Sequence, residues 1–314
     1  MSTNTVASEE NLYYGIGAWR LWEEKAPTSL RSQKLPPGEL IPIETYEVTT
    51  FRELVRIVAF LNVMNKKHHL LFRGQTEDFP LRPTLLRDTW NVPWREGEKV
   101  DLRDDRQYYW DALDVMSSRI GAVLRDKLPR HRPFDRFRDR DAYRLAPWAV
   151  IQHYELWPTP VLDFTGSLRV AASFALGTEE AKPEGYLYVT AMPPFISDLD
   201  DVPEDESVGP VAVRLSAVCP PSAPRPHLQD GFLVGEPHFN DQALQAESSP
   251  GVVVAKFLLL NDSATADGQG FWDNDFPPHT QESLLPSLGD VVLAAFHEAF
   301  EYRLEAGRVV LVER

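Results

Sequence analysis

The spacing of apolar residues changes part-way along the chain, and that change limits the folds open to it. Up to about residue 176 apolar side chains recur mainly at helical spacing; from Gly185 onward they come in short β-rich blocks. Thr49 or Thr50 is placed to cap a helix running to about Lys66, with Leu54, Val55, Ile57, Val58, Leu61 and Met64 at helical spacing. A second helix is predicted over about 101–127 with Tyr109, Leu113, Met116, Ile120 and Leu124 inward, a third over about 141–154, and a short one over 167–176. Between them, residues 69–73 read as a buried strand ended by Gly74, and 159–164 as a proline-bounded extended piece. Residues 185–191, 211–215 and 252–260 read as strands, and a helix over about 288–304 with a strand over 308–312 closes the pattern. Helices first and strands later predict an α+β fold, a mostly antiparallel sheet with helices over one face.

Three parts are expected. Residues 1–48 form an irregular arm in which Pro27, Pro36, Pro37 and Pro42 forbid a continuous helix, though residues 12–22 hold enough aromatics to dock on the body. Residues 49–260 form the α+β domain, and 261–314 a helix-plus-strand extension packed on it. Residues 198–210 and 261–275 read as exposed acidic loops.

Charge and cysteine content remove several function classes. The single cysteine, Cys219, allows neither an internal disulfide nor a cysteine-rich zinc module. Net charge is −15, but residues 51–145 carry 20 basic and 15 acidic side chains against 12 and 32 in the remainder. The acidic whole argues against non-specific nucleic-acid binding, while the basic stretch suits an anionic ligand. The opening MSTNTVASEENLYYG lacks the basic and apolar regions of a secretory leader, and the best apolar run, 252–260, is interrupted by Lys256. A soluble cytoplasmic protein without a membrane partner is expected.

Candidate chemistry gathers in three places. In Phe72-Arg73-Gly74-Gln75, Arg73 sets a permanent cation at the end of an apolar strand, and Gly74 leaves room for a ligand at the backbone. A structural Arg73 paired with Asp163 or another acid is the equal alternative. In the second place, Gln152 and His153 end a helix, a proline-stiffened turn follows, and Asp163, Thr165 and Ser167 surround the next helix start. Ordinary caps, and a capping or core histidine, are the alternatives. In the third, Arg225, Gln229 and Gly231 interrupt what otherwise reads as a strand, which marks a bend or a close ligand approach.

These segments resemble the bacterial FRG domain, named for its Phe-Arg-Gly start. Phe72-Arg73-Gly74-Gln75, Gln152-His153-Tyr154, Pro158-Thr159, Leu162-Asp163-Phe164-Thr165, Ala171-Ala172 and Phe174-Ala175 follow its order, and Arg225, Gln229, Gly231 and Phe232 match its later element. The resemblance spans roughly residues 50–235. Glu155 stands where that family usually has Gly, Pro160 where it has Arg, Phe164 where it has Trp, and Trp157 looks like an extra residue in the turn.

The ordered pattern also resembles the ADP-ribosyltransferase plan, implying a mixed, mostly antiparallel split sheet flanked by helices. It implies NAD as substrate, with ADP-ribosyl transfer or NAD hydrolysis in a bacterial toxin or anti-phage setting. Arg73 would hold a ribose or phosphate, Thr165 and Ser167 the nicotinamide ribose, and Gln229 the place of the catalytic glutamate, with Glu236 as an alternative. Gly74, Gln75, Gln152, His153, Asp163 and Arg225 complete the expected cofactor-binding set. The rival reading is a sensor that binds a nucleotide-like anion or a protein partner without turnover.

Other motifs fail on spacing. Asp163 with Glu180-Ala181-Lys182 follows the residue order of a metal-dependent nuclease, but the latter three fall in a turn. His297-Glu298-x-x-Glu301 lacks the second histidine of a zinc-protease helix, and His68-His69 is isolated. The basic run from Arg130 to Arg144 is interleaved with aspartates and reads as a solvated flank. No metal is expected.

Overall fold

The computed structural model describes residues 45–66, 68–92, 98–127, 145–192, 211–219, 221–235, 252–261, 270–285, 290–305 and 308–313. The expectations for residues 12–22, for the basic run between Arg130 and Arg144, for the acidic loop at 198–210, for most of that at 261–275, for Glu236 and for the side chain of Leu124 lie outside them. In chain order the elements are β1 (Thr45–Val48), α1 (Phe51–Met64), β2 (His69–Gln75), a 3-10 turn (Thr84–Leu86), β3 (Thr89–Asn91), β4 (Lys99–Asp101), α2 (Arg106–Lys127), α3 (Leu145–His153), β5 (Leu162–Thr165) and α4 (Leu168–Ala175). There follow β6 (Glu184–Met192), β7 (Val211–Arg214), α5 (Leu215–Val218), α6 (Pro224–Leu228), β8 (Gly231–Gly235), β9 (Val252–Leu260), α7 (Gln281–Leu284), α8 (Val291–Ala299), β10 (Phe300–Glu305) and β11 (Arg308–Glu313).

The chain divides into two compact units, each assembled from three stretches: Met1–Leu81, Phe164–Pro194 and Gly251–Leu284 in the first, and Arg82–Asp163, Phe195–Pro250 and Leu285–Arg314 in the second.

In the first unit β9 pairs with β6, and β6 with β2, in antiparallel fashion. β1 runs parallel to β9, and Phe72 of β2 lies opposite Thr165 of β5. This is the expected α+β class with mostly antiparallel pairing. Alternation divides the faces. Leu70 and Phe72, Leu187, Val189 and Ala191, and Ala255, Phe257 and Leu259 join one core with α1 and α4. α1 begins where Thr50 accepts from Glu53 N–H at 3.2 Å, and buries Phe51, Leu54, Val58 and Leu61 while Val55 is exposed. Ser167 caps α4 in the same way, accepting from Val170 N–H.

β2 does not end at Gly74. It continues to Gln75 through its pairing with β6, and α4 crosses close over it: a Cβ at Gly74 would lie 1.8 Å from Ala171 O, and one at Gly185 would lie 2.0 Å from Ala175 O. Both glycines let a helix backbone approach the strands, so Gly74 is occupied structurally.

In the second unit the core is built on α2, α3 and α8, with Trp90, Tyr109, Trp110, Trp148 and Trp157 buried in it. Trp157 is a core residue: its indole N–H donates to Tyr109 O at 2.8 Å, and its ring lies 5.3 Å from Tyr109 and 5.7 Å from Trp90. Three expectations are corrected in this unit. The helix predicted from about Asp101 begins at Arg106, and Asp101 instead ends the hairpin β3–β4, with Trp90 opposite Val100. Residues 225–228 are helical in α6, which has proline at its start. The helix predicted to 304 stops at Ala299, and the chain continues as β10 paired to β11.

Replacing Gly74 or Gly185 by alanine drives a Cβ into helix backbone, and each substitution should cost about 2–4 kcal/mol. Gly231→Ala meets only side-chain ends, Leu215 Cδ1 at 2.7 Å and His153 Cε1 at 3.2 Å, and should cost less. Urea unfolding of the three variants checks the order.

Candidate functional site

Two polar clusters stand out, one in each unit. The first is centred on Arg73. On the β2 face away from the helix-covered core, Arg73 lies opposite Tyr188, and Tyr188 opposite Lys256 of β9. Arg73 Nε donates to Gln75 Oε1 at 3.2 Å, and Gln75 Nε2 donates to Phe79 O at 2.7 Å. The loop after β2 is tied to the same row: Tyr188 OH donates to Asp78 Oδ1 at 2.7 Å, and Lys256 Nζ donates to Asp78 Oδ2 at 2.6 Å. The Lys256 ammonium also lies 5.4 and 5.6 Å from the Tyr186 and Tyr188 ring centroids. Burial, then the bond to Asp78, raises the Tyr188 phenol well above its ordinary value, so it stays a neutral donor.

Thr165 and Ser167 are placed elsewhere in this unit. Thr165 lies opposite Phe72, on the helix-covered side, and its Oγ1 accepts from Ser167 N–H at 2.9 Å. The structure thus gives both hydroxyls local work at the α4 start, and does not bring Thr165 onto the Arg73 face.

The second cluster is built on the C-terminal end of α3. There Glu155 N–H donates to Gln152 O and Leu156 N–H to Ile151 O, both at 2.9 Å, with Glu155 at φ 55°. This paired closure sends consecutive side chains to different partners. Gln152 accepts from Thr159 Oγ1 and donates to Asp163 Oδ2 at 2.9 Å. His153 places Nδ1 3.4 Å from Asp163 Oδ1. Tyr154 OH donates to Asp290 Oδ2 at 2.7 Å, while Asp290 Oδ1 accepts from Val292 and Leu293 N–H groups and caps α8. Glu155 Oε1 lies 3.8 Å from Arg225 Nη2, and the Arg225 guanidinium lies 5.5 Å from the Tyr154 ring centroid.

Electrostatics fixes the protonation of this cluster. Burial pushes the His153 pKa below its ordinary value near 6.5; the Asp163 carboxylate opposes the shift and the Arg225 charge adds to it. The imidazole is therefore neutral at pH 7. A carboxylate only accepts, so Nδ1 carries the proton toward Asp163. His153 Nε2 is buried without a hydrogen-bond partner among the described residues. Burial and the Asp290 bond raise the Tyr154 phenol far above its usual value, and burial raises the Cys219 thiol, so neither ionises near neutrality. Asp163 itself is 30% exposed. This is a carboxylate oriented by two buried side chains, with part of its surface open.

Gln229 is buried at the C-terminal end of α6, where its N–H donates to Arg225 O at 3.1 Å. Sequence reasoning singled out Gln152, His153, Asp163 and Arg225 for this unit and missed Tyr154, Glu155 and Asp290 as their partners. In the first unit it missed Asp78, Tyr186 and Tyr188. Lys256 was visible as the one charge in an apolar strand.

Among the described residues, no three His, Cys, Asp or Glu side chains gather where they could hold a metal ion, and no helix is long and apolar enough to cross a membrane. Glu180 and Lys182 pair with each other at 3.1 Å in a turn rather than on a strand.

The FRG domain model matches residues 68–184, from the start of β2 to the start of β6. The chain therefore contains a stretch that matches the FRG domain. That stretch holds Arg73, Gln152, His153, Asp163 and Thr165, whereas Arg225 and Gln229 lie beyond it. No curated protein and no solved structure matches the chain significantly.

Two measurements check the electrostatics. The unfolded chain binds a proton at His153 that the folded chain resists, so His153 contributes stability that is complete above about pH 6.5 and lost as pH falls toward its folded pKa. His153→Gln should flatten the pH dependence of unfolding between about pH 7 and 5. In the first unit, Asp78→Asn leaves a buried Lys256 without its counter-charge and should cost about 3 kcal/mol. Lys256→Met leaves Asp78, 31% exposed, able to hydrate and should cost less. Denaturant titration ranks the pair.

Proposed function

We propose that this protein binds NAD and cleaves its nicotinamide–ribose bond, transferring ADP-ribose to an acceptor or to water, in a bacterial toxin or anti-phage setting. The observation that supports this most is the Asp163 carboxylate, positioned by Gln152 and a neutral His153 and still partly open. As nicotinamide departs with the bonding pair, the ribose C1 becomes cation-like, and a fixed carboxylate stabilises such charge where an amide does little. On this reading Asp163 takes the electrostatic role that the resemblance assigns to Gln229, and Gln229 supports the helix end that presents Arg225. The ribose- or phosphate-holding role that the resemblance implies for Arg73 belongs to the same proposal, as does the ADP-ribosyltransferase-like fold.

One observation favours the second reading, a nucleotide sensor without turnover. The residue in the expected glutamate position, Gln229, is a buried amide.

Incubation with NAD should release nicotinamide and, with adenine-labelled NAD, transfer label to protein or nucleic acid. Asp163→Asn should lower the rate by about 10²-fold or more while the fold persists. Arg73→Ala should lose NAD binding and activity while remaining folded. A melting temperature raised by NAD with no nicotinamide released would decide for the sensor.

A further inference from the structure

Glu155 occupies a backbone position poorly suited to it. At φ 55° it sits in the left-handed region, which glycine holds without strain and other residues do not. Its side chain is 63% exposed, and its carboxylate reaches only to 3.8 Å from Arg225 Nη2. An exposed pair of that length contributes little to stability. Strain kept where glycine would serve, for a contact of so little stabilising value, points toward function rather than folding.

Arg225 is the opposite case. It is 18% exposed, lies over the Tyr154 ring and has a buried Nε without a hydrogen-bond partner among the described residues. Tyr154 is itself held by Asp290, so the platform beneath the guanidinium is fixed. His153 is neutral, and the field of Arg225 adds to the lowering of the His153 pKa and opposes the rise at Tyr154. A guanidinium offers five N–H donors in a planar fork that matches phosphate oxygens, and a carboxylate at 3.8 Å is beyond hydrogen-bond reach of that fork.

We propose that Arg225 is a binding site for a phosphate or diphosphate group, and that Glu155 is its resident competitor, displaced when a ligand phosphate engages the guanidinium. The proposal rests on the nucleotide ligand of the preceding reading, but not on its cleavage. A phosphate can take hydrogen bonds from the fork where Glu155 takes none, so the exchange favours the ligand. The flexible, solvent-exposed stem of Glu155 lets the carboxylate leave without disturbing the closure of α3, which uses only its backbone.

Calorimetric titration with ADP-ribose and with inorganic pyrophosphate tests the site directly. Glu155→Gln and Glu155→Gly should each bind both ligands about 3–10-fold tighter than the parent protein, the gain expected from removing a weak competing charge pair. Arg225→Lys should bind at least about 10-fold more weakly, because an ammonium cannot fork. Circular dichroism establishes that this variant is folded, and if it is not, the two Glu155 variants decide alone. Unchanged or weaker affinity in Glu155→Gln, full affinity in a folded Arg225→Lys, or no binding of either ligand to any form overturns the proposal. Tighter binding in the Glu155 variants without nicotinamide release would sustain this site while removing the NAD-cleaving reading. Nicotinamide release with no change in ligand affinity would do the reverse.

Discussion

The end of α3 is the constraint on which the second unit's polar architecture depends. Gln152, His153, Tyr154 and Glu155 are consecutive, yet they reach Thr159 with Asp163, Asp163 alone, Asp290 and Arg225 respectively. A helix continuing past His153 would carry successive side chains round at about 100° per residue and scatter them over its own flank. The left-handed step at Glu155 stops that rotation, and Leu156 is then free to enter the core, where it is 4% exposed. One backbone conformation therefore determines which groups meet β5, α6 and the start of α8.

Burial treats charge differently in the two clusters. In the first unit the buried Lys256 side chain donates to Asp78 and lies against two tyrosine rings, contacts that compensate for lost water. In the second, His153 sheds its proton, although a carboxylate stands 3.4 Å away, because burial and the charge on Arg225 outweigh it. A 3.4 Å contact offsets desolvation less well than a short charge-assisted bond would, and an imidazole starts with a pKa near 6.5. Arg225 thus acts on the cluster beyond its own contacts, adding to the burial that lowers the His153 pKa.

Much of the first unit was legible because local signals agreed with tertiary demand. Thr50 followed by Glu53, and Ser167 before Leu168, are cap patterns, and both helices begin there. The later half was harder. Phe300, Tyr302 and Leu304 alternate as a strand does, yet they follow an apolar helix closely enough to be read as its continuation; the turn into β10 depends on pairing with residues 308–313. α6 was read as an interrupted strand although Pro224 stands at a helix start, where its fixed φ and missing N–H are assets. At Gly74 the meaning was inverted: the residue admits the α4 backbone, not a ligand. The pairing of Tyr188 with Asp78, 110 residues apart, has no local signature at all.

The division of labour around Asp163 bears on why an amide can stand at Gln229. A carboxylate that must stabilise developing positive charge has to be held still without being neutralised. A direct guanidinium partner would hold it but cancel its charge, whereas neutral donors orient it and leave the charge in place. Gln152 and the neutral His153 are donors of that kind, and Thr159, wholly buried, fixes Gln152 in turn. Arg225 lies 3.8 Å from the Glu155 carboxylate. The backbone N–H of residue 229 closes α6 whatever side chain it carries, so an amide can stand there at no loss to the helix.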